Sequence, residues 1–208
     1  MKKVLHSLCY ILVICSTLHA CTLFNNKTND SKDLLILVNR ENKLTCYHKA
    51  KDLTKIPNIY NSGMMNQLRK PAVDAFIELC EAAKKDGIIV TNQSAWRPYY
   101  IQMKTYNRLK RELGKEKATE ICALPGHSEH QTGLALDVNI TNINYDKDID
   151  YSWVEANAHK YGFILRYPEG KESITGYNPE PWHYRYVGKE IADYIYSNNI
   201  TLEEYYKK

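Results

Sequence analysis

Apolar and polar positions change period several times along this chain, and each change marks an element. Leu34-Leu35-Ile36-Leu37-Val38 is an unbroken apolar run of the kind that forms a buried strand, and Leu44-Thr45-Cys46-Tyr47 reads as a second strand across the polar turn 39–43. Pro71 can open a helix, because a first-turn residue needs no amide donor. Val73, Phe76, Ile77, Cys80 and Ala83 then fall on one face before Gly87 stops it. Ile88 to Thr91 predicts a strand leading to Ser94 and Arg97, and a helix from Tyr99 to Leu113, ended by Gly114, carries Gln102 in its first turn. Beyond Gly133, Leu134, Leu136 and Val138 alternate with Ala135 and Asp137. That period of two predicts a strand with one apolar face and Asp137 on the other, beside small Ala135 and facing a cleft. Glu180-Pro181 predicts a short turn feeding a strand through Trp182, Tyr184 and Tyr186, since proline is disfavoured inside a helix. Further helices are expected at about 152–160, ending at Gly162, and at 189–197, and Thr201 with Glu204 makes a capping box for a final turn. Strands and helices do not alternate regularly, so the pattern predicts an α+β domain with a central antiparallel sheet flanked by helices, rather than a doubly wound parallel one.

With 208 residues the chain is long enough for one domain with a real core. An apolar fraction of 44% and 17 tyrosines mark it as globular rather than disordered. The net charge is +4, and Lys2 and Lys3 contribute two of those charges from a leader, too few for a nucleic-acid partner. That leader has Lys2-Lys3, an apolar stretch from Leu8 to Leu18, then Leu18-His19-Ala20-Cys21 and a polar run from Asn25 to Lys32. The order is that of an export signal, too short for a membrane span. Leu-x-Ala-Cys resembles a bacterial lipobox. Residues 1–20 are therefore expected to be a signal peptide, Cys21 a lipidated N-terminus, 21–32 a tether and 33–208 the folded domain. Cleavage after Ala20 without a lipid is the alternative. Either way the expected location is outside the cytoplasm, at the outer face of the bacterial cytoplasmic membrane, with membrane contact only through the anchor. Cys46, Cys80 and Cys122 are the three cysteines beyond the leader. No Cys-x-x-Cys exists, so nothing supports cysteine zinc ligation. Each is expected to be a small buried hydrophobe, with one disulfide as the alternative.

The chemistry is concentrated in Gly126-His127-Ser128-Glu129-His130-Gln131-Thr132-Gly133-Leu134-Ala135-Leu136-Asp137 and, 43 residues beyond Asp137, in Glu180-Pro181-Trp182-His183. A catalytic zinc takes three His or Asp/Glu ligands and keeps a fourth position open, whereas a structural zinc closes all four. His130, Asp137 and His183 would leave that opening, and Glu180 would be a spare carboxylate. Taken singly, a histidine in a tyrosine-rich segment packs, an aspartate at a strand end caps a turn, and a Glu-x-x-His occurs by chance. The combination, with Gly133 and Ala135 allowing close backbone approach, shifts the balance to a metal site. His127 is the rival ligand. His48 and His159 are expected to be structural or exposed, and His6 and His19 lie in the leader.

Ser128-x-His130-x-x-Gly133-x-Ala135-x-Asp137 together with Glu180-x-x-His183 resembles the signature of the VanY-type D-alanyl-D-alanine carboxypeptidases, zinc peptidases related to the LD-carboxypeptidases and sharing a hedgehog-like fold. The likeness extends to Ser94-Ala95-Trp96-Arg97 with Gln102, to Gly162-Phe163-Ile164-Leu165-Arg166-Tyr167-Pro168, to Gly170-Lys171-Glu172 and Thr175-Gly176-Tyr177, and to Trp182 through Gly188, covering roughly residues 33 to 198. It implies one zinc per chain held by His130, Asp137 and His183, with Glu180 as the catalytic carboxylate. Arg97, Gln102, Ser128 and Tyr167 match positions that handle substrate. Trp96 stands where the family often has Tyr, and Pro98 where Ser is common. The implied activity is hydrolysis of the terminal D-Ala of peptidoglycan stem peptides. The alternatives are an LD-carboxypeptidase acting on tetrapeptide stems, an endopeptidase cutting cross-links, or a non-catalytic wall-binding lipoprotein. Arg97 suits a terminal carboxylate because its guanidinium makes two parallel charge-assisted bonds, and it could equally stabilise an oxyanion.

Overall fold

A computed structural model describes residues 33–142 and 150–207, so the expected signal peptide, Cys21 anchor and tether lie outside the described residues. The chain divides into two compact units, Met1–Ile36 and Leu37–Lys208. In the first, only residues 33–36 are described, with a helical turn at Asp33–Leu34.

In the second unit, strands β1 (Leu53–Lys55) and β2 (Gln67–Arg69) form a small antiparallel pair. Helix α1 (Lys70–Lys85) follows, then β3 (Ile88–Ser94), α2 (Tyr99–Leu113), α3 (Lys115–Ile121) and β4 (Ala135–Asn142). The rest comprises α4 (Ser152–Asn157), β5 (Phe163–Leu165), α5 (Glu172–Thr175), β6 (His183–Tyr186), α6 (Lys189–Ser197) and α7 (Leu202–Tyr206). The main sheet has the order β3-β4-β6-β5, with every neighbouring pair antiparallel. This is the expected α+β arrangement.

Pro71 sits in the first turn of α1, where a missing amide costs nothing. The helix buries Val73, Phe76, Leu79, Cys80 and Ala83 and packs against β3, while Ile77 is only half-buried. Phe76 meets Phe163 of β5 edge-on with ring centroids 6.4 Å apart, so helix and sheet share one apolar layer. Each such aromatic contributes about 1.5–3 kcal/mol on burial. Leu134, Leu136, Val138 and Ile140 line that layer from β4 and its approach, which leaves Ala135 and Asp137 on the opposite face. Among the described residues no helix is long and apolar enough to cross a membrane.

Several expectations need correction. Neither Leu34–Val38 nor Leu44–Tyr47 is a strand. The backbone between them is committed to a turn: Asn39 N–H donates to Asn42 O, and Asn39 Oδ1 accepts from the amides of Glu41 and Asn42. Leu44 N–H bonds instead to Gly126 O at 2.9 Å. Val38 and Leu44 are single buried plugs, and Tyr47 is 86% exposed. Cys46 is exposed, Cys80 buried and Cys122 half-buried, and all three are free thiols, so burial fails for Cys46. Trp182 belongs to the turn before β6 rather than to the strand. The helix expected at 152–160 is α4 followed by a 3-10 turn, Ala158–Tyr161, that stacks His159 on Tyr196. The capping box of α7 forms as expected, with Thr201 Oγ1 accepting from Glu204 N.

Candidate metal centre

Three local devices bring the predicted ligands together. The first is the register of the sheet. Asp137 on β4 stands directly opposite His183 on β6, so both side chains leave the same face, and Asp137 Oδ1 lies 2.9 Å from His183 Nδ1. The second is the 3-10 turn Glu129–Thr132, which lifts His130 to the end of β4. Thr132 Oγ1 closes that turn by donating to Glu129 O and accepting from Leu134 N, and Gly133 exits it at φ +72°. A Cβ on Gly133 would sit 3.0 Å from both Ala50 Cβ and Leu53 Cδ2, so close approach to β1 and positive φ both require glycine there. The third is the small β1–β2 pair, which sequence reading missed. The β2 segment accepts the amides of Ala95 and Trp96 through Met65 O and Gln67 O, and Arg69 N–H donates to Gly133 O. Ala95 O is thereby fixed 2.7 Å from His130 Nδ1.

That last bond decides the chemistry of His130. With Nδ1–H donated to a carbonyl, Nε2 carries the lone pair, and it lies 3.4 Å from Asp137 Oδ2. Donor atoms of His130, Asp137 and His183 all fall within 4.8 Å of one another. Ligand bonds of ~2.0–2.1 Å at tetrahedral angles would separate donors by roughly 3.3–3.5 Å, so this cluster fits a zinc ion. His127 does not join it: its Nδ1 is engaged with Asn39 O at 2.8 Å. Glu180 does approach, with Oε2 3.7 Å from His183 Nδ1, at the start of the predicted turn closed by His183 N–H to Glu180 O.

Burial sets the protonation states. It opposes charge on Asp137, yet the two imidazoles outweigh it and hold the carboxyl well below its usual range. Burial lowers His130, opposed by Asp137. Burial would also lower His183, but the carboxylates of Asp137 and Glu129 outweigh it and raise the imidazole to about 9. Glu180 is raised, first by burial and then by Asp137, which makes it a stronger proton acceptor than a solvated glutamate.

All eight residues predicted for the site line one cleft of about 240 Å³. Arg97 Nη1 donates to Gln102 Oε1 and Nη2 to Ser94 Oγ, the latter placed by a register shift in β3 that sets Ser94 opposite Asp137. Gln102 is 2% exposed and spends its own amide on Ala123 O, so it steadies Arg97 rather than facing the cleft with a free donor. Ser128 is buried at the cleft wall, and the Tyr167 ring lies 5.0 Å from the His183 ring. Burial drives the Tyr167 hydroxyl well above its usual range, so it remains a donor.

The main residue that sequence reading missed is Glu129. Its side chain is fully buried, with Oε1 bonded to Arg166 Nε at 2.9 Å and Arg185 Nη1 at 2.8 Å. Burial opposes its ionisation, but these two guanidiniums outweigh it and hold the carboxyl far below its usual range. Arg166 also bonds Glu203 of α7, completing a buried group of two cations and two anions. Arg166, directly after the apolar strand β5, and Arg185, between two tyrosines of β6, were the available signal, because a buried arginine needs a carboxylate.

The family model of VanY, described as D-alanyl-D-alanine carboxypeptidase, matches residues 65–189. The chain is 41% identical over 187 residues to YodJ of Bacillus subtilis strain 168, a carboxypeptidase by provisional name, covering 85% of this chain and 68% of that protein. The solved LdcB LD-carboxypeptidase is 41% identical with a TM-score of 0.77, over 86% of this chain and 87% of that one. A mutant of the vancomycin resistance D,D-pentapeptidase VanY from a VanB-type cassette, solved in complex with Zn(II), is 34% identical with a TM-score of 0.69, over 83% of this chain and 98% of that one. A shared fold, a shared sequence over most of the chain and a three-ligand cluster suited to the zinc of that relative agree, and the chain belongs to the VanY family of D-alanyl-D-alanine carboxypeptidases.

Proposed function

We propose that the chain is an exported, zinc-dependent carboxypeptidase that removes the terminal D-alanine from peptidoglycan stem peptides. The observation that carries this reading is the convergence of His130, Asp137 and His183 in one cluster, with the Glu180 carboxylate facing the same cleft. A binding module would have no use for that second carboxylate. Zinc held by the three ligands supplies, when bound, a Lewis acid for the scissile carbonyl and lowers the pKa of water from ~15.7 to roughly 7.

The chain's own groups complete the reaction. Glu180 takes the proton of the attacking water and returns it to the leaving amine, and its elevated basicity suits both steps. Arg97, held by Gln102 and Ser94, turns its remaining N–H donors to the substrate's terminal carboxylate. Tyr167 stays protonated and donates a neutral hydrogen bond, and Ser128 adds another from the cleft wall. The leader supports export and lipid attachment at Cys21, and a Cys21→Ala variant should leave the membrane fraction.

A second reading, cleavage of tetrapeptide stems between an L- and a D-centre, is supported by the likeness to LdcB. Both reactions need the same zinc, base and carboxylate clamp. Mass spectrometry of products from defined pentapeptide and tetrapeptide muropeptides separates them. Loss of alanine from the pentapeptide alone supports the first reading, and loss from the tetrapeptide alone supports the second.

A further inference from the structure

Two buried polar atoms face each other across the floor of the cleft with no hydrogen-bond partner among the described residues: Glu129 Oε2 and His183 Nε2, 3.8 Å apart. Leaving either one unpaired in a dry interior carries the full desolvation penalty of that group, so the pair calls for an explanation. Oε1 of Glu129 is already saturated by Arg166 and Arg185, which leaves Oε2 as the free end of a carboxylate clamped from behind. His183 offers its other nitrogen, Nδ1, to Asp137 Oδ1 at 2.9 Å. Ligation of a metal ion through Nδ1 would require that nitrogen to be unprotonated, which would leave the ring's N–H on Nε2, pointed at Glu129.

We infer that Glu129 is a positioning residue for the metal centre: its clamped carboxylate accepts Nε2–H of His183 and so commits Nδ1 to the zinc. The inference rests on the metal reading of His130, Asp137 and His183. It gives the buried arginines a purpose beyond stability, since Arg166 and Arg185 fix the acceptor, and Arg185 lies two residues from His183 on the same face of β6. A backbone carbonyl already holds Nδ1 of His130, and Glu129, 3.8 Å from Nε2 of His183, would hold the second ring, so each imidazole would have its non-ligating nitrogen tied to a different element.

The test uses the full chain and zinc alone. Chelator competition should show zinc held roughly 10- to 100-fold more weakly by Glu129→Gln than by the unaltered protein. The visible spectrum of the cobalt-substituted protein should shift as the ring loses its anchor. Glu203→Gln disturbs the same buried charge group from its far end without touching Oε2. It should lower the melting temperature while zinc affinity stays within threefold. A readout independent of variant folding is nitrogen NMR of histidine-labelled, zinc-loaded unaltered protein, in which His183 should carry a slowly exchanging proton on Nε2. Equal zinc affinity in folded Glu129→Gln, or an Nε2 without that proton, overturns the inference while leaving the metal site intact. Failure of the unaltered protein to take up zinc overturns the metal reading and the inference with it.

Discussion

Asp137 and His183 are cross-strand partners in the antiparallel register of β4 and β6, with Oδ1 and Nδ1 2.9 Å apart. A slip of β6 by one residue would turn His183 to the face of the sheet opposite Asp137, so the register of the two strands and the assembly of the metal centre are one and the same constraint. The apolar face of β4, through Leu136, Val138 and Ile140, therefore protects the chemistry as well as the core.

Glu180→Ala should lower kcat by about 10²–10⁴-fold, the usual contribution of a positioned general base. Zinc content should be unchanged, because Glu180 lies outside the three-ligand cluster. Steady-state rates and metal analysis on the same preparation check both halves.

Arg97→Lys keeps the charge but cannot reproduce the forked bonding that Gln102 and Ser94 prepare. Losing a charge-assisted bond worth ~1.5–3 kcal/mol should reduce kcat/KM roughly 10- to 150-fold. An amidated peptide terminus should erase most of the difference between the two proteins, which initial rates with free and amidated substrates would reveal.

The buried charge group makes two stability predictions. Arg166→Met strands Glu203 and half of the Glu129 clamp, and breaking such a pair should cost about 3–5 kcal/mol in denaturant unfolding. Glu129 has a folded-state pKa below its ordinary 4.5, so its contribution is complete above about pH 4.5 and is lost as pH falls toward the depressed value. Asp137 carries the same sign. Thermal melts should therefore fall steeply on the acid side, with a shallower slope in Glu129→Gln.

Gly133→Ala forces a side chain into positive φ and against Ala50 and Leu53. The cost should be about 1–3 kcal/mol. Because the strain falls on the turn carrying His130, zinc affinity should weaken along with the melting temperature, whereas Gly170→Ala, at φ +74° with open space around it, should leave zinc affinity alone.

Much of this arrangement is legible in the residues because local rules happen to agree there. Pro98 before Tyr99 and Gly114 after Leu113 bracket α2, and the alternation after Gly133 announces β4. The motif spacing gathered His130, Asp137, Glu180 and His183, the family resemblance added Arg97, Gln102, Ser128 and Tyr167, and all eight line one cleft. What was not legible depends on distant partners. The run Leu34–Val38 signals burial but says nothing of an available sheet edge, and the turn built on Asn39 takes the hydrogen bonds a strand would need. Strands β1 and β2 span three residues each, too short to show a period. Glu129 sits 37 residues from Arg166 and 56 from Arg185, and only folding reveals that its charge is enclosed by theirs.

The most direct test of the account is the zinc stoichiometry of the purified chain after saturation and dialysis, compared with Asp137→Ala. The account predicts close to one zinc per chain in the first and almost none in the second. A folded, unaltered protein retaining far less than one zinc, or an Asp137→Ala protein retaining as much, would contradict it.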